Sequence, residues 1–186
     1  MKKICILIGL ILFYSPVLWA WDVEFGVQRS KPQIAYRSQT YQSGSTKLTF
    51  VPNGESTIFG QSAVLGLGFD DWLFEIEQAR YGTTTMFLDS QGNSVTLNPK
   101  FQEDRYGFFY RQERELAGFF AGAGVEKYLE EFSHSGELYQ SAGQSPYAKV
   151  GLVLIFGAFR VRADQIHSNI GEHILKTSSI GMMLHF

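Results

Sequence analysis

A histidine, a serine, a glutamate and a second histidine lie within seven residues in the stretch QIHSNIGEHI, residues 165–174. A serine hydrolase needs a base within hydrogen-bonding reach of the serine hydroxyl and a carboxylate that orients this base. His167, Ser168 and Glu172 would supply these groups. The stretch HSGE, at 134–137, offers a similar set, and histidine and glutamate are also metal ligands. Ester hydrolysis is therefore the first chemistry to weigh.

The adjacency of histidine and serine weakens the hydrolase hypothesis. On a regular strand, neighbouring side chains point to opposite faces, so His167 and Ser168 would meet one substrate only if a β-bulge lay between them. Without a bulge, we interpret residues 165–174 as a solvated surface loop. We then expect no catalytic residue, no cofactor and no metal site. The cluster of His167, Ser168 and Glu172 remains the alternative.

The N-terminal residues MKKICILIGLILFYSPVLWA have the pattern of a secretory signal peptide. Two lysines precede an apolar run, Pro16 interrupts it, and Ala20 is a small residue suited to the cleavage position. The pattern predicts a signal peptide at 1–20 and one domain at 21–186. An uncleaved anchor helix is the alternative, although the apolar run is short for a bilayer span. The one cysteine, Cys5, lies in this segment, so the predicted domain has no disulfide.

Composition narrows the class of protein. The chain has 186 residues, a net charge of −2, an aromatic content of 15% and 19 glycines. Since there is no basic stripe or nucleic-acid-binding motif, we expect no nucleic-acid partner. After residue 20, no apolar run is long enough for a membrane-spanning helix.

Apolar residues alternate with polar or small residues over most of the chain. In WLFEIEQ, Trp72, Phe74 and Ile76 share one face, and Glu75 and Glu77 share the other. This period of two is typical of strands. The same alternation occurs in six further segments, at 57–69, 105–111, 117–131, 147–156, 159–164 and 178–186.

Short and long connections alternate along the chain. Short ones are centred on 69–72, 112–116 and 156–159, and long polar ones cover 32–57, 82–99, 132–145 and 166–176. This arrangement predicts an all-β fold, an eight-stranded antiparallel up-and-down transmembrane β-barrel. A soluble exported barrel or sandwich, with the apolar face inside, is the alternative.

The two predicted faces differ in chemistry. The apolar face suits lipid and ends in a girdle of aromatic residues, namely Trp21, Phe69, Trp72, Tyr110, Phe156, Phe159 and Phe186. The other face would place charges of both signs inside the barrel, where they can pair. This predicted lumen network consists of Glu24, Glu75, Glu77, Arg105, Arg111, Glu126, Glu130, Lys149, Arg160, Arg162 and Asp164.

The last predicted strand has apolar residues at every second position and a terminal aromatic: Ile180, Met182, Leu184 and Phe186. It resembles the C-terminal assembly signal of bacterial outer-membrane proteins. This resemblance implies periplasmic chaperones and the barrel-assembly machinery as partners. The eight strands, with AGAGVEKY in the fifth, resemble the small-barrel superfamily of the OmpA transmembrane domain and OmpX. That implies the bacterial outer membrane as location, among its lipid and lipopolysaccharide.

The stretch VRADQIHSNIG is also similar to the seventh strand of PagL-type lipid A deacylases, which carry a His-x-Ser pair there. Here the two residues are adjacent, which puts that activity in doubt. We therefore expect a non-enzymatic outer-membrane protein that acts through extracellular loops, in adhesion or another surface interaction, or in envelope integrity. Lipid A deacylation by the His167 cluster is the alternative function. The loop hairpins, one with its tip near DSQGN, could bind an extracellular partner, whose identity the sequence does not give.

Overall fold

The computed structural model describes residues 21–35, 39–43, 46–52, 56–57, 59–82, 84–88, 93–170 and 173–186. The predicted signal peptide at 1–20 and the candidate acid Glu172 lie outside these residues. Cleavage after Ala20 therefore stays a prediction. In the described ranges, no helix has the length and apolar character needed to cross a membrane.

Eight long strands close into an antiparallel barrel, in which each strand pairs with its neighbours in the chain and the first pairs with the last. The described strands are β1 (Trp21–Ala35), β2 (Gln39–Ser43), β3 (Thr46–Pro52), β4 (Ser56–Thr57), β5 (Phe59–Phe69), β6 (Trp72–Gly82), β7 (Thr85–Leu88), β8 (Ser94–Leu97), β9 (Lys100–Glu113), β10 (Ala117–His134), β11 (Glu137–Phe156), β12 (Phe159–Ile170) and β13 (His173–His185). The eight long strands of the barrel are β1, β5, β6 and β9 to β13.

The register of the pairs fixes the tilt of the strands. A path of Cα partners that starts at Glu24 on β1 returns to β1 at Ile34, ten residues further along. The path runs through Gly66, Glu75, Gly107, Gly124, Tyr147, Ser168 and Leu175. A barrel of eight tilted strands has an interior that side chains fill, so it encloses a packed core.

The three short connections lie where the alternation predicts them. β5 passes to β6 through Asp70 and Asp71, β9 to β10 through 114–116, and β11 to β12 through 157–158. Asp70 and Gly157 have positive φ values, 51° and 65°, as tight strand connections require. These turns and both ends of the described barrel lie on one side of the molecule, which is the short-turn end.

The predicted long loops at 132–145 and 166–176 are wrong, because the strands continue through them. β10 and β11 are paired as far as His134 and Glu137. The turn between them is Ser135 and Gly136, with φ values of 53° and 82°. β12 likewise continues to Ile170 and pairs with β13. The segments look polar because beyond the apolar belt both faces of a strand can carry polar residues.

The first two predicted loops contain strands of their own. β2 and β3 form one hairpin, and β7 and β8 form another. The hairpins are joined at Val51 and Leu88, β2 meets β11 at Gln42 and Gln140, and β8 lies beside β10. We call these four strands, with the ends of β10 and β11 that lie between residues 131 and 140, the upper tier.

Burial alternates along the barrel strands as the sequence predicts. Leu152, Met182 and Val27 are 66%, 63% and 62% exposed, whereas Glu77 and Arg105 are fully buried. The seven residues of the predicted girdle are all exposed near the short-turn end, where Trp72 stacks on Phe108 at 5.0 Å between ring centroids. An apolar belt of this extent would cause association in water. The soluble alternative, with the apolar face inside, is therefore wrong, and the chain has a transmembrane barrel fold.

Candidate functional site

The barrel interior holds a network of ion pairs that begins near the short-turn end. Glu24 on β1 accepts a hydrogen bond from Arg111 Nη1 at 2.8 Å and another from Arg160. Arg160 Nη1 also donates to Glu113 Oε1 at 2.8 Å, and Arg111 pairs with Asp22. Two guanidinium groups thus pair with three carboxylates, which lie on β1 and β9.

The middle of the interior is organised around Lys149 on β11. Its Nζ donates to Glu77 Oε2 at 2.9 Å and to Glu75, and it lies 3.7 Å from Asp164 Oδ2. Arg162 pairs with Glu75 and places its Nε 3.4 Å from Asp164 Oδ2. The Lys149 side chain is fully buried. Its charge is therefore compensated entirely by these carboxylates.

Above Lys149, one guanidinium group meets three carboxylates. Arg105 on β9 lies 3.1 Å from Glu77 and 3.2 Å from Glu126, and it also pairs with Glu103. Its Nη2 donates to Tyr81 Oη at 2.9 Å. Above this group, a cluster of Ala79, Tyr81, Phe101, Tyr128 and Leu175 is buried, and Glu130 is buried beside it.

These groups form one continuous network. Glu24 lies 4.0 Å from Arg162, Glu75 joins Arg162 to Lys149, and Glu77 joins Lys149 to Arg105. All the charged residues that the sequence places on the inner face are buried. Because a buried charge is tolerated only when it is paired, the network serves as the core of the barrel. Its side chains fill the described part of the interior.

The sequence analysis missed three acidic members of this network. Glu103, Glu113 and Asp22 also contact its arginines. Their signal is present in the sequence, because Glu103 lies two residues before Arg105 and Glu113 two residues after Arg111. Residues spaced by two share a face of a strand. The alternating segment predicted from the sequence covers 105–111, which ends short of both glutamates.

Arg105 has more carboxylates than its single charge needs, so we expect Glu103→Gln to change the unfolding free energy by less than about 1 kcal/mol. The glutamine amide oxygen can still accept a hydrogen bond from Arg105. The substitution also removes one negative charge from a site with three carboxylates. Urea titration of the protein refolded in lipid vesicles measures the change. A loss as large as that from breaking a buried ion pair would show that all three carboxylates are required.

The structure places the two candidate hydrolase residues on opposite faces of β12. His167 is exposed on the outer face, and Ser168 is 1% exposed inside the barrel. Both residues continue an unbroken register with β11 on one side and β13 on the other. The described part of this strand therefore has no bulge at His167. The imidazole and the hydroxyl are not brought together, and Glu172 lies outside the described residues.

The other polar stretch forms the turn between β10 and β11. His134 and Glu137 are Cα partners, and Ser135 is exposed at the tip of the turn. A third set, Asp22, Glu24 and His185, has potential ligand atoms within 4.8 Å of one another. Arg111 and Arg160 already pair with these carboxylates, so the set does not fit a cation.

Solved structures of known proteins share the architecture of this chain. Neisserial surface protein A aligns with 90% of this chain and 97% of its own, with a TM-score of 0.59 and 12% identity. The attachment invasion locus protein Ail of Yersinia pestis, solved with the heparin analogue sucrose octasulfate, aligns over 89% and 99%, with a TM-score of 0.56 and 13% identity.

The chain has the fold of the small outer-membrane β-barrels. The resemblance to the small-barrel superfamily is thus confirmed at the level of fold. No protein-family model and no curated protein matches the sequence. The comparisons give no support to the similarity with PagL-type deacylases.

Proposed function

We propose that this protein is a non-enzymatic integral protein of the bacterial outer membrane that makes contacts at the cell surface, in adhesion, through its upper tier. The observation that carries the proposal is the continuity of the strands. The β10–β11 hairpin is paired without interruption to His134 and Glu137, and the β2–β3 and β7–β8 hairpins are joined beside it. Because the hairpins are joined by strand pairing, they form a preorganised surface, which lowers the entropic cost of binding.

The upper tier extends well beyond the apolar belt. Lys127 is exposed on the outer face of β10, at the level where charged residues replace apolar ones. Eight further residues lead to Ser135, which is about 26 Å along an extended strand. Phe132 and Tyr139 stack across the hairpin at 5.5 Å between ring centroids, and Leu138 is 51% exposed near the tip. The β10–β11 hairpin therefore exposes Leu138 to solvent on a strand pair that the stacked aromatic rings stabilise.

The names of the two structural relatives agree with a role at the surface. One is a surface protein, and the other is an attachment and invasion protein that was solved with a heparin analogue. At 12–13% identity these relatives support the fold. Their names support attachment as the kind of process we propose.

Deleting residues 85–97, which removes β7 and β8, is expected to abolish binding of protein-expressing bacteria to epithelial monolayers. The barrel strands are untouched, so heat-modifiable gel mobility should persist. Leu116→Ser is the matched control, because Leu116 is 74% exposed at the short-turn end and should leave binding unchanged. Undiminished attachment by the deletion variant, at equal surface level, would contradict a role of the upper tier in adhesion.

The enzyme alternative predicts a chemical change in lipid A. We expect the acyl pattern of lipid A, read by mass spectrometry, to be the same with and without the protein. His167→Ala and Ser168→Ala should likewise have no effect, because the two side chains are on opposite faces. Loss of one acyl chain that depends on Ser168 would overturn the non-enzymatic assignment.

A further inference from the structure

The outer wall of the barrel carries a groove across β13, β1, β5 and β6. Its volume is about 930 Å³. Ala63 forms the floor, because its small side chain points outward between its Cα partners Val27 and Gln78. The groove is thus an indentation in the wall that a transmembrane barrel turns toward lipid.

The groove is apolar at one end and cationic at the other. Val27, Ile180 and Met182 line the end nearer the short turns and are 62%, 59% and 63% exposed. Arg29 and Arg80 line the end nearer the upper tier and are both exposed. An anionic amphiphile would fit this groove, with its acyl chain at the end nearer the short turns and its anionic group at the end nearer the upper tier.

The two arginines are placed to share one anion. Arg29 pairs with Gln61, and Gln61 pairs with Arg80, so the arginines lie two strands apart in one row. Neighbouring strands are about 4.8 Å apart, which puts the two Cα atoms about 10 Å apart. Both side chains are on the outer face, so their guanidinium groups can converge over Gln61. Guanidinium groups bind phosphate oxygens in a bidentate manner.

The sign of the charge on the surrounding wall agrees with an anionic ligand. Lys31 follows Arg29 on the outer face of β1, and His167 and Lys176 are exposed further along the same side of the wall, on β12 and β13. Among the described outward-facing side chains of these strands and of β5 and β6 above the apolar belt, there is no carboxylate. The neighbouring strand β9 carries one carboxylate at this edge of the groove, Asp104, which accepts a hydrogen bond from Gln78 Nε2 at 2.9 Å.

We propose that this groove binds lipid A of the outer leaflet, with one phosphate held between Arg29 and Arg80 and an acyl chain along Val27, Ile180 and Met182. The proposal rests on the outer-membrane location given under the proposed function. It concerns a surface that adhesion does not use. Lipid A fits because it joins a phosphorylated sugar to several acyl chains at the depth where the wall changes from apolar to cationic.

The test measures lipid A that stays bound to the purified protein. The protein is refolded in vesicles of phosphatidylcholine with phosphorylated lipid A, with dephosphorylated lipid A or with phosphatidylglycerol, and retained lipid is counted by native mass spectrometry. We expect one phosphorylated lipid A molecule per chain, and at least tenfold less of the other two lipids. Equal retention of all three lipids by the unmodified protein would contradict a lipid A site in this groove.

The double variant Arg29→Gln with Arg80→Gln should lose at least tenfold of the retained lipid A. Arg114→Gln with Lys127→Gln is the matched control, because Arg114 is exposed in the turn between β9 and β10 at the short-turn end and Lys127 is exposed on β10, four strands from β1 around the barrel. It should retain wild-type levels. Heat-modifiable mobility reports assembly of each variant. Full retention by the arginine variant would contradict the proposal. Since no host surface takes part, the result is independent of adhesion.

Discussion

Replacing Lys149 by methionine is expected to lower the free energy of unfolding by about 3–5 kcal/mol, the effect of breaking a buried ion pair from one side. The ammonium group lies between Glu75 and Glu77 and 3.7 Å from Asp164, and its side chain is fully buried. Methionine fills a similar volume but leaves these carboxylates without their shared cation. Urea titration in lipid vesicles, followed by tryptophan fluorescence, measures the loss.

Lys127→Met is the matched control for this prediction. Lys127 is exposed on the outer face of the adjacent strand β10, so the same chemical change should cost less than about 1 kcal/mol. A second variant, Lys149→Met with Glu77→Gln, should recover part of the lost stability because it removes one of the orphaned charges. An equal effect of the two lysine substitutions would show that the inner network does not stabilise the barrel.

Substituting Gly124 by valine is expected to cost about 1–3 kcal/mol or more and to reduce the yield of folded barrel. A Cβ at this position would lie 2.7 Å from Gly107 Cα and 2.7 Å from Tyr147 Cε1, and it would also strike the carbonyl oxygen of Tyr106. Two of these atoms belong to the backbone of β9. They can yield only if the β9–β10 ladder opens.

Gly82→Val provides the comparison for Gly124→Val. A Cβ at Gly82 meets no described atom within 4 Å, and this residue is exposed at the end of β6. The expected change in stability is therefore small, within about 1 kcal/mol. The fraction that shows heat-modifiable mobility after refolding, and its urea midpoint, distinguish the two variants. Equal folded fractions and urea midpoints for the two variants would show that the packing of Tyr147 and β9 does not require a glycine at position 124.

The faces of the strands could be predicted from the sequence because a period of two needs no knowledge of neighbours. Trp72, Phe74 and Ile76 point outward, and Glu75 and Glu77 point inward, as their alternation requires. The short turns could be predicted for a similar reason, since each is a break of a few residues between two alternating runs.

The partners of the inner charges could not be predicted in this way. Which side chains share a level depends on the ten-residue shift of the register around the barrel. Glu24 meets Arg160, which is 136 residues away in the chain. The continuation of β10 and β11 into the upper tier was missed for another reason. Beyond the apolar belt both faces of a strand can be polar, so the hairpin at Ser135 and Gly136 resembled a loop.

The most direct test of this account is a spin-label accessibility scan along β11, from Leu138 to Phe156, in single-cysteine variants of a Cys5→Ser background. We predict that labels at 150, 152, 154 and 156 are accessible to oxygen in the lipid, and that labels at 138, 140, 142 and 144 are accessible to a water-soluble nickel chelate. Labels at 145 and 153, whose native side chains are buried in the barrel, should be shielded from both oxygen and the chelate. Oxygen accessibility at 145 and 153 with nickel accessibility at 152 and 154, or lipid contact at 138 and 140, would contradict the barrel orientation and the upper tier.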